Sequence, residues 1–99
     1  MEITERKVGN VCVVGLNGRL DSGTSDSLAQ RLHQLIDGGE RHLVIDGGTL
    51  DYISSTGLAN IVDLFKTALR KGIEIHFLNV SEKIKTKIRL LGMEHILNC

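Results

Sequence analysis

Apolar residues recur along this chain with two different periods, and these periods divide it into alternating strands and helices. The runs with strand character are Ile3–Val8, Val11–Leu16, His42–Ile45 and Ile73–Leu78. Gly9-Asn10, which separates the first two runs, suits the positive φ angles of a two-residue hairpin turn. The pattern therefore predicts that the chain begins with an antiparallel hairpin.

Three further stretches space their apolar residues three or four apart, as one face of a helix does. The helices predicted from this spacing carry their apolar residues within Leu28–Ile36, Leu58–Leu69 and Ile84–Leu91. The residues that favour helix ends are Ser22–Ser25 and Ser81 at the starts and Gly38-Gly39, Gly72 and Gly92 at the ends. The stretch from Asp46 to Gly57 has the composition of a loop until Ile53.

The element order is thus β-β-α-β-α-β-α, and His95–Leu97 adds a last short strand. Strands that alternate with helices pair in parallel through right-handed crossovers. We therefore expect an α/β fold with a mixed sheet of four to five strands. Its N-terminal hairpin is antiparallel, the remaining strands are parallel, and the helices lie mainly on one face.

Length and charge narrow the function classes. A chain of 99 residues corresponds to one domain, here residues 1–99, and its aromatic content of 3% implies an aliphatic core. The net charge of zero argues against broad capture of nucleic acid or membrane. Basic residues nevertheless gather at Lys83, Lys85, Lys87 and Arg89. A solvated helix face and contact with an acidic partner patch both fit this cluster.

Motifs for catalysis, metals or cofactors are lacking, so we predict no catalytic residue, no metal site and no cofactor. Cys12 lies in an apolar run and Cys99 is the last residue, a spacing that suits neither a metal site nor a disulfide framework. The four histidines lack metal-ligand spacing, and no G-x-S-x-G sequence occurs. Without an N-terminal apolar stretch or a run near the ~20 residues of a membrane span, we expect a cytoplasmic protein.

A run of hydroxyl residues, Ser54-Ser55-Thr56, precedes the second helix. Such residues cap helix starts, because their oxygens accept hydrogen bonds from unpaired backbone N–H groups. Three hydroxyls exceed what one cap needs, which favours an additional function. A phosphate on Ser55 would lie where the helix dipole favours negative charge.

Two motifs give the chain a family resemblance. Leu50–Leu58 reads L-D-Y-I-S-S-T-G-L and resembles the signature of STAS domains, in particular of bacterial anti-sigma factor antagonists. Leu16–Asp21 reads L-N-G-R-L-D and is similar to the G-x-L-D element that leads into the first helix of that family. Because the order of motifs and elements also agrees, the resemblance covers nearly the whole chain.

The resemblance places a phosphorylated serine at Ser55, and it places Ser54 where those relatives have aspartate. It also implies a partner-binding surface formed by Asp21, Tyr52, Ser54, Ser55, Thr56, Gly57, Asn60 and Asp63. From the residues alone, Asp21 fits equally well as an acidic residue at the start of the first helix, where its negative charge interacts favourably with the helix dipole. Tyr52 fits packing in the core.

These features indicate a regulatory binding module rather than an enzyme. The resemblance implies that the unphosphorylated protein binds a GHKL-type serine kinase that is also an anti-sigma factor. Phosphorylation of Ser55 by that kinase would release the protein, and a PPM-type phosphatase would reset it. The alternative is a STAS scaffold subunit of a larger signalling or transport complex that is never phosphorylated.

Overall fold

The computed structural model describes residues 1–93 and contains one mixed sheet with three helices. The strands are β1 (Glu2–Val8), β2 (Val11–Leu20), β3 (His42–Ile53) and β4 (Glu74–Leu78). The helices are α1 (Ser22–Asp37), α2 (Ser55–Arg70) and α3 (Glu82–Leu90). The short strand predicted at His95–Leu97 lies outside the described residues.

The strands lie in the sheet in the order β1-β2-β3-β4. β1 and β2 are antiparallel, whereas β2–β3 and β3–β4 are parallel. Val8 lies opposite Val11 across the predicted turn, where Gly9 has a φ of 63°. The predicted α/β fold, with its antiparallel hairpin followed by parallel strands, is confirmed.

A single apolar cluster joins alternate sheet residues to the helices. Cys12, Val14 and Leu16 point into it from β2, as a strand with a period of two requires. Leu28 and Leu32, four residues apart on α1, enter the same cluster. Full burial of each large aliphatic side chain contributes about 1.5–3 kcal/mol, so this shared core fixes the helices on the sheet.

Both inner strands extend beyond the ends that the hydrophobic pattern predicts. The pattern ends β2 at Leu16 and β3 at Ile45, and both boundaries are wrong. The missed segments hold glycine and polar residues, which are typical of loops, but here they pair with each other's backbone. The register shifts twice, between Gly15 and Asn17 and between Gly18 and Arg19. Such bulges let an irregular sequence remain in a sheet.

The first helix also begins differently from the prediction. Its N-cap is Asp21 rather than a residue of Ser22–Ser25. Asp21 and Thr24 form a capping box, in which each side chain accepts a hydrogen bond from the other residue's backbone N–H. Ser81 caps α3 as predicted, accepting a hydrogen bond from the Ile84 N–H.

Candidate functional site

The starts of α1 and α2 meet at one edge of the sheet. β2 and β3 are parallel neighbours, so their carboxyl ends and the helices that follow them lie side by side. Leu20 pairs with Ile53, and the Ser54 N–H donates to the Leu20 carbonyl oxygen at 2.9 Å. This geometry brings together the two sequence motifs, one ending at Asp21 and the other spanning Leu50–Leu58.

The three hydroxyl residues at the start of α2 have different roles. Ser54 is the N-cap, and its Oγ accepts a hydrogen bond from the Gly57 N–H at 2.9 Å. Ser55 and Thr56 are exposed, and neither hydroxyl has a hydrogen-bond partner among residues 1–93. Capping is therefore the role of Ser54, and the Ser55 hydroxyl remains accessible at the positive end of the helix.

Gly57 lies inside the first turn of α2, against the end of β2. A Cβ added there would be 2.6 Å from the Leu20 carbonyl oxygen and 3.1 Å from the Ser54 Oγ. Gly57 is a helical residue without a positive φ, so no turn conformation requires a glycine here. The requirement comes from the close approach of helix and strand.

Asp21 is the N-cap of α1, as Ser54 is the N-cap of α2. Its Oδ1 accepts hydrogen bonds from the Thr24 N–H and the Thr24 hydroxyl, both at 3.0 Å. The backbone hydrogen bond from Thr24 is the main reason that the pKa of the Asp21 carboxyl lies below its usual value. Sequence reasoning missed Thr24, although its spacing from Asp21 is that of a capping box.

Asn60 links the two helices just beyond their starts. Its Nδ2 donates to the Ser25 Oγ at 2.6 Å, and that hydroxyl donates in turn to the Ser22 carbonyl oxygen at 3.0 Å. Ser25 is only 2% exposed, so this polar pair is satisfied within the helix interface. Asn60 thereby fixes the position of α2 relative to α1.

Asp63 lies on the exposed surface of α2, one turn after Asn60. It lines a shallow groove of about 180 Å³ between α1 and α2, together with Asp26 and His33. The groove therefore carries two carboxylates along the side of the helix that begins at Ser55.

Tyr52 lies on the other side of the site, half-buried and outside the core cluster, so the expectation of core packing is wrong. The bulge after Leu50 places Tyr52 opposite Arg19 in the register. The Arg19 guanidinium carbon is 4.0 Å and the Lys87 Nζ is 4.9 Å from the centre of the Tyr52 ring. Both cations interact with the electron-rich ring, a grouping that no local sequence signal indicates.

Other candidate chemistry stays separate from this edge. Cys12 is 3% exposed, in agreement with its place in an apolar run, and burial raises the pKa of its thiol. Within residues 1–93, no three His, Cys, Asp or Glu side chains lie close enough to hold a metal. No helix in this range is long and apolar enough to cross a membrane.

Comparison with known proteins identifies the family. A family model for the STAS domain matches residues 2–99. The chain belongs to the STAS domain family. BtrV of Bordetella bronchiseptica, named as an anti-sigma factor antagonist, is 38% identical over 71 residues. The matched part is 72% of this STAS domain and 60% of BtrV, so the chain spans less than two thirds of that relative.

Solved structures share the fold of this STAS domain. An anti-sigma factor antagonist from Thermotoga maritima has a TM-score of 0.85 at 17% identity, covering 96% of this chain and 82% of that one. The anti-sigma factor antagonist SpoIIAA, in its unphosphorylated form, has a TM-score of 0.79 at 15% identity, covering 96% and 84%. SpoIIAA of Bacillus is also known in its phosphorylated form.

The STAS domain thus gathers most of the predicted site residues at one edge. Asp21, Ser54, Ser55 and Gly57 meet where β2 and β3 end. Asn60 and Asp63 continue from there along α2, and Tyr52 precedes the edge on β3. Sequence reasoning placed Lys87 only in a basic cluster, and it did not link Lys87, Arg19, Thr24 or Ser25 to this site.

Proposed function

We propose that this STAS domain is an anti-sigma factor antagonist controlled by phosphorylation of Ser55. Unphosphorylated, it binds in the cytoplasm to a GHKL-type serine kinase that is also an anti-sigma factor. The kinase phosphorylates Ser55 and releases the protein, and a PPM-type phosphatase restores the bound form. One observation carries this proposal: Ser55 presents a free, exposed hydroxyl at a helix start whose capping is already done by Ser54.

The fold tolerates a phosphate at this position. Phosphorylation adds about −1.5 to −2 charges at pH 7. Ser55 is the first residue of α2, where negative charge is favoured by about 0.3–1 kcal/mol. The hydroxyl has no partner among the described side chains and backbone groups, so phosphorylation breaks no hydrogen bond there. The existence of SpoIIAA structures in both forms supports this step.

A partner bound over Ser55 does not tolerate the phosphate. An interface that covers the serine must bury the new charge or lose contact around it. An unpaired buried charge costs about 2–5 kcal/mol or more. Moving a partner from mostly bound to mostly free takes about 3–5 kcal/mol, so one phosphate is sufficient.

Ser54 replaces the aspartate of the family motif without loss of the cap. Serine and aspartate are both good N-cap residues, because each offers an oxygen to the backbone N–H groups. The replacement removes a negative charge beside Ser55 and leaves the geometry of the helix start unchanged.

Phosphorylation of the purified protein tests the proposal. The purified protein is incubated with a candidate GHKL-type serine kinase from the same organism and with Mg-ATP, and its intact mass is measured. We expect one phosphate on the wild type, none on Ser55→Ala and one on the matched control Thr56→Ala, which removes the neighbouring exposed hydroxyl. A wild-type protein that binds the kinase but stays unmodified would identify the scaffold subunit instead.

A further inference from the structure

Two cations lie against the Tyr52 ring, three residues before the proposed phosphorylation site, and a third contacts the backbone of the preceding residue. Arg19 and Lys87 lie 4.0 and 4.9 Å from the ring centre. Lys83, one helical turn before Lys87, donates from Nζ to the Asp51 carbonyl oxygen at 3.4 Å. We call Arg19, Lys83 and Lys87 the cationic cluster.

The cationic cluster differs from the other basic residues of α3. Lys85 and Arg89 both pair with Glu82, at 3.7 and 3.8 Å. Across residues 1–93, the cationic cluster takes part in no such ion pair. α3 thus has one basic pair that shares the Glu82 carboxylate and one basic pair, Lys83 and Lys87, that faces β3 without a carboxylate within ion-pair distance.

Asp21 lies close enough to Arg19 for their charges to interact. Arg19 contributes only the last of several influences that lower the Asp21 pKa, and the Asp21 carboxylate is already engaged by Thr24. Asp51 contributes its backbone carbonyl oxygen, through Lys83. The cluster therefore retains most of its capacity to bind an anion.

The Tyr52 ring holds the Arg19 and Lys87 cations close together in positions where they can bind an anion. Each cation–π contact at an exposed site is worth about 0.5–1 kcal/mol, which offsets part of the repulsion between like charges. A guanidinium that lies against a ring still has its N–H groups free, in a fork that matches a carboxylate. No hydrogen bond within the described chain uses the Arg19 guanidinium.

We propose that the cationic cluster binds a segment of the partner that carries Asp or Glu side chains. This inference rests on the proposed function and names the partner chemistry of the same site. The two carboxylates of the α1–α2 groove, Asp26 and Asp63, repel such a segment, so the two sides of the site fix its orientation. A net charge of zero and only three clustered cations disfavour nucleic acid as the ligand.

The cationic cluster also explains why a phosphate is an effective signal here. Tyr52 precedes Ser55 by three residues on the strand that leads into α2. Carboxylates held around Tyr52 therefore lie near the added phosphate and are repelled by it.

Charge reversal tests this inference on the same anti-sigma factor. Binding kinetics at low and high salt are compared for the wild type, Arg19→Glu/Lys87→Glu and the control Lys66→Glu/Arg70→Glu. The control changes the same residue types and the same net charge, about 16–22 Å along α2 from Ser55. Thermal unfolding followed by circular dichroism verifies that each variant folds.

We expect Arg19→Glu/Lys87→Glu to weaken binding at least about tenfold, mainly through slower association, and to lose most of the salt dependence. The control stays within about twofold of the wild type. Tyr52→Leu keeps the positive charges of Arg19 and Lys87 but removes the ring that holds them in place. We expect this variant to lose less affinity for the anti-sigma factor than the double charge reversal.

The outcomes separate this inference from the proposed function. A wild type that does not bind the anti-sigma factor contradicts both. A wild type that binds, with Arg19→Glu/Lys87→Glu within about twofold of it, contradicts the cationic cluster alone. Equal losses in both double variants also overturn it, because they indicate an effect of net charge.

Discussion

Replacing Gly57 by alanine adds one methyl group at the tightest contact of the site. The new Cβ would be 2.6 Å from the Leu20 carbonyl oxygen and 3.1 Å from the Leu20 carbonyl carbon. Both atoms belong to the backbone of β2, so no side-chain rotation relieves the contact. Either α2 moves away from the sheet, or the Ser54 N–H loses its 2.9 Å hydrogen bond to Leu20.

The size of this effect follows from opposing terms. Overpacking of a tight contact costs about 1–3 kcal/mol, and a weakened hydrogen bond adds about 0.5–1.5 kcal/mol. Alanine in a helix gains up to about 1 kcal/mol over glycine. The cost of the close contact exceeds the gain in helix propensity. We therefore expect Gly57→Ala to lower the free energy of unfolding by about 1–3 kcal/mol.

Urea denaturation measures this change, and α1 offers a matched control. Gly23 also lies in the first turn of its helix, but a Cβ there would meet only the Asp21 Oδ1, at an ordinary 3.7 Å. Gly23→Ala should therefore leave stability unchanged or raise it by up to about 1 kcal/mol. A Gly57→Ala protein as stable as the wild type would refute the close-approach explanation.

Two further predictions concern the helix caps. Ser54→Ala removes the oxygen that accepts the Gly57 N–H and should cost about 1 kcal/mol in urea denaturation, whereas unchanged stability would mean that Ser55 or Thr56 can take over the cap. For Asp21, the folded-state pKa is depressed, so its contribution is present above the ordinary value of 3.8 and is lost as pH falls through the folded pKa. The stability difference between the wild type and Asp21→Asn should thus be larger at neutral pH than below pH 3.8, and a difference independent of pH would contradict this assignment.

The sequence predicts the elements whose signals are local. The helical spacing of Leu28 and Leu32 places α1, Ser81 places the start of α3, and Gly9 places the hairpin turn. For the site, the hydroxyl run after Ile53 marks the start of α2, because cap chemistry depends on neighbouring residues.

The remaining features depend on distant pairing. The second halves of β2 and β3 look like loops until their backbones are paired, because glycine and polar residues carry no strand signal. The grouping of Arg19, Tyr52 and Lys87 requires both the bulge register and the position of α3. Several neighbouring residues could each have been the N-cap of α1, and only the observed hydrogen bonds identify Asp21 as that residue.

The most direct test compares the affinity of the anti-sigma factor for this protein with and without a phosphate on Ser55. Calorimetric titration of both forms gives the two dissociation constants, and thermal unfolding shows that both are folded. We predict that the phosphate weakens binding at least about hundredfold, which corresponds to about 3 kcal/mol, and leaves the unfolding temperature nearly unchanged. Equal dissociation constants for two folded forms would contradict control of partner binding by Ser55.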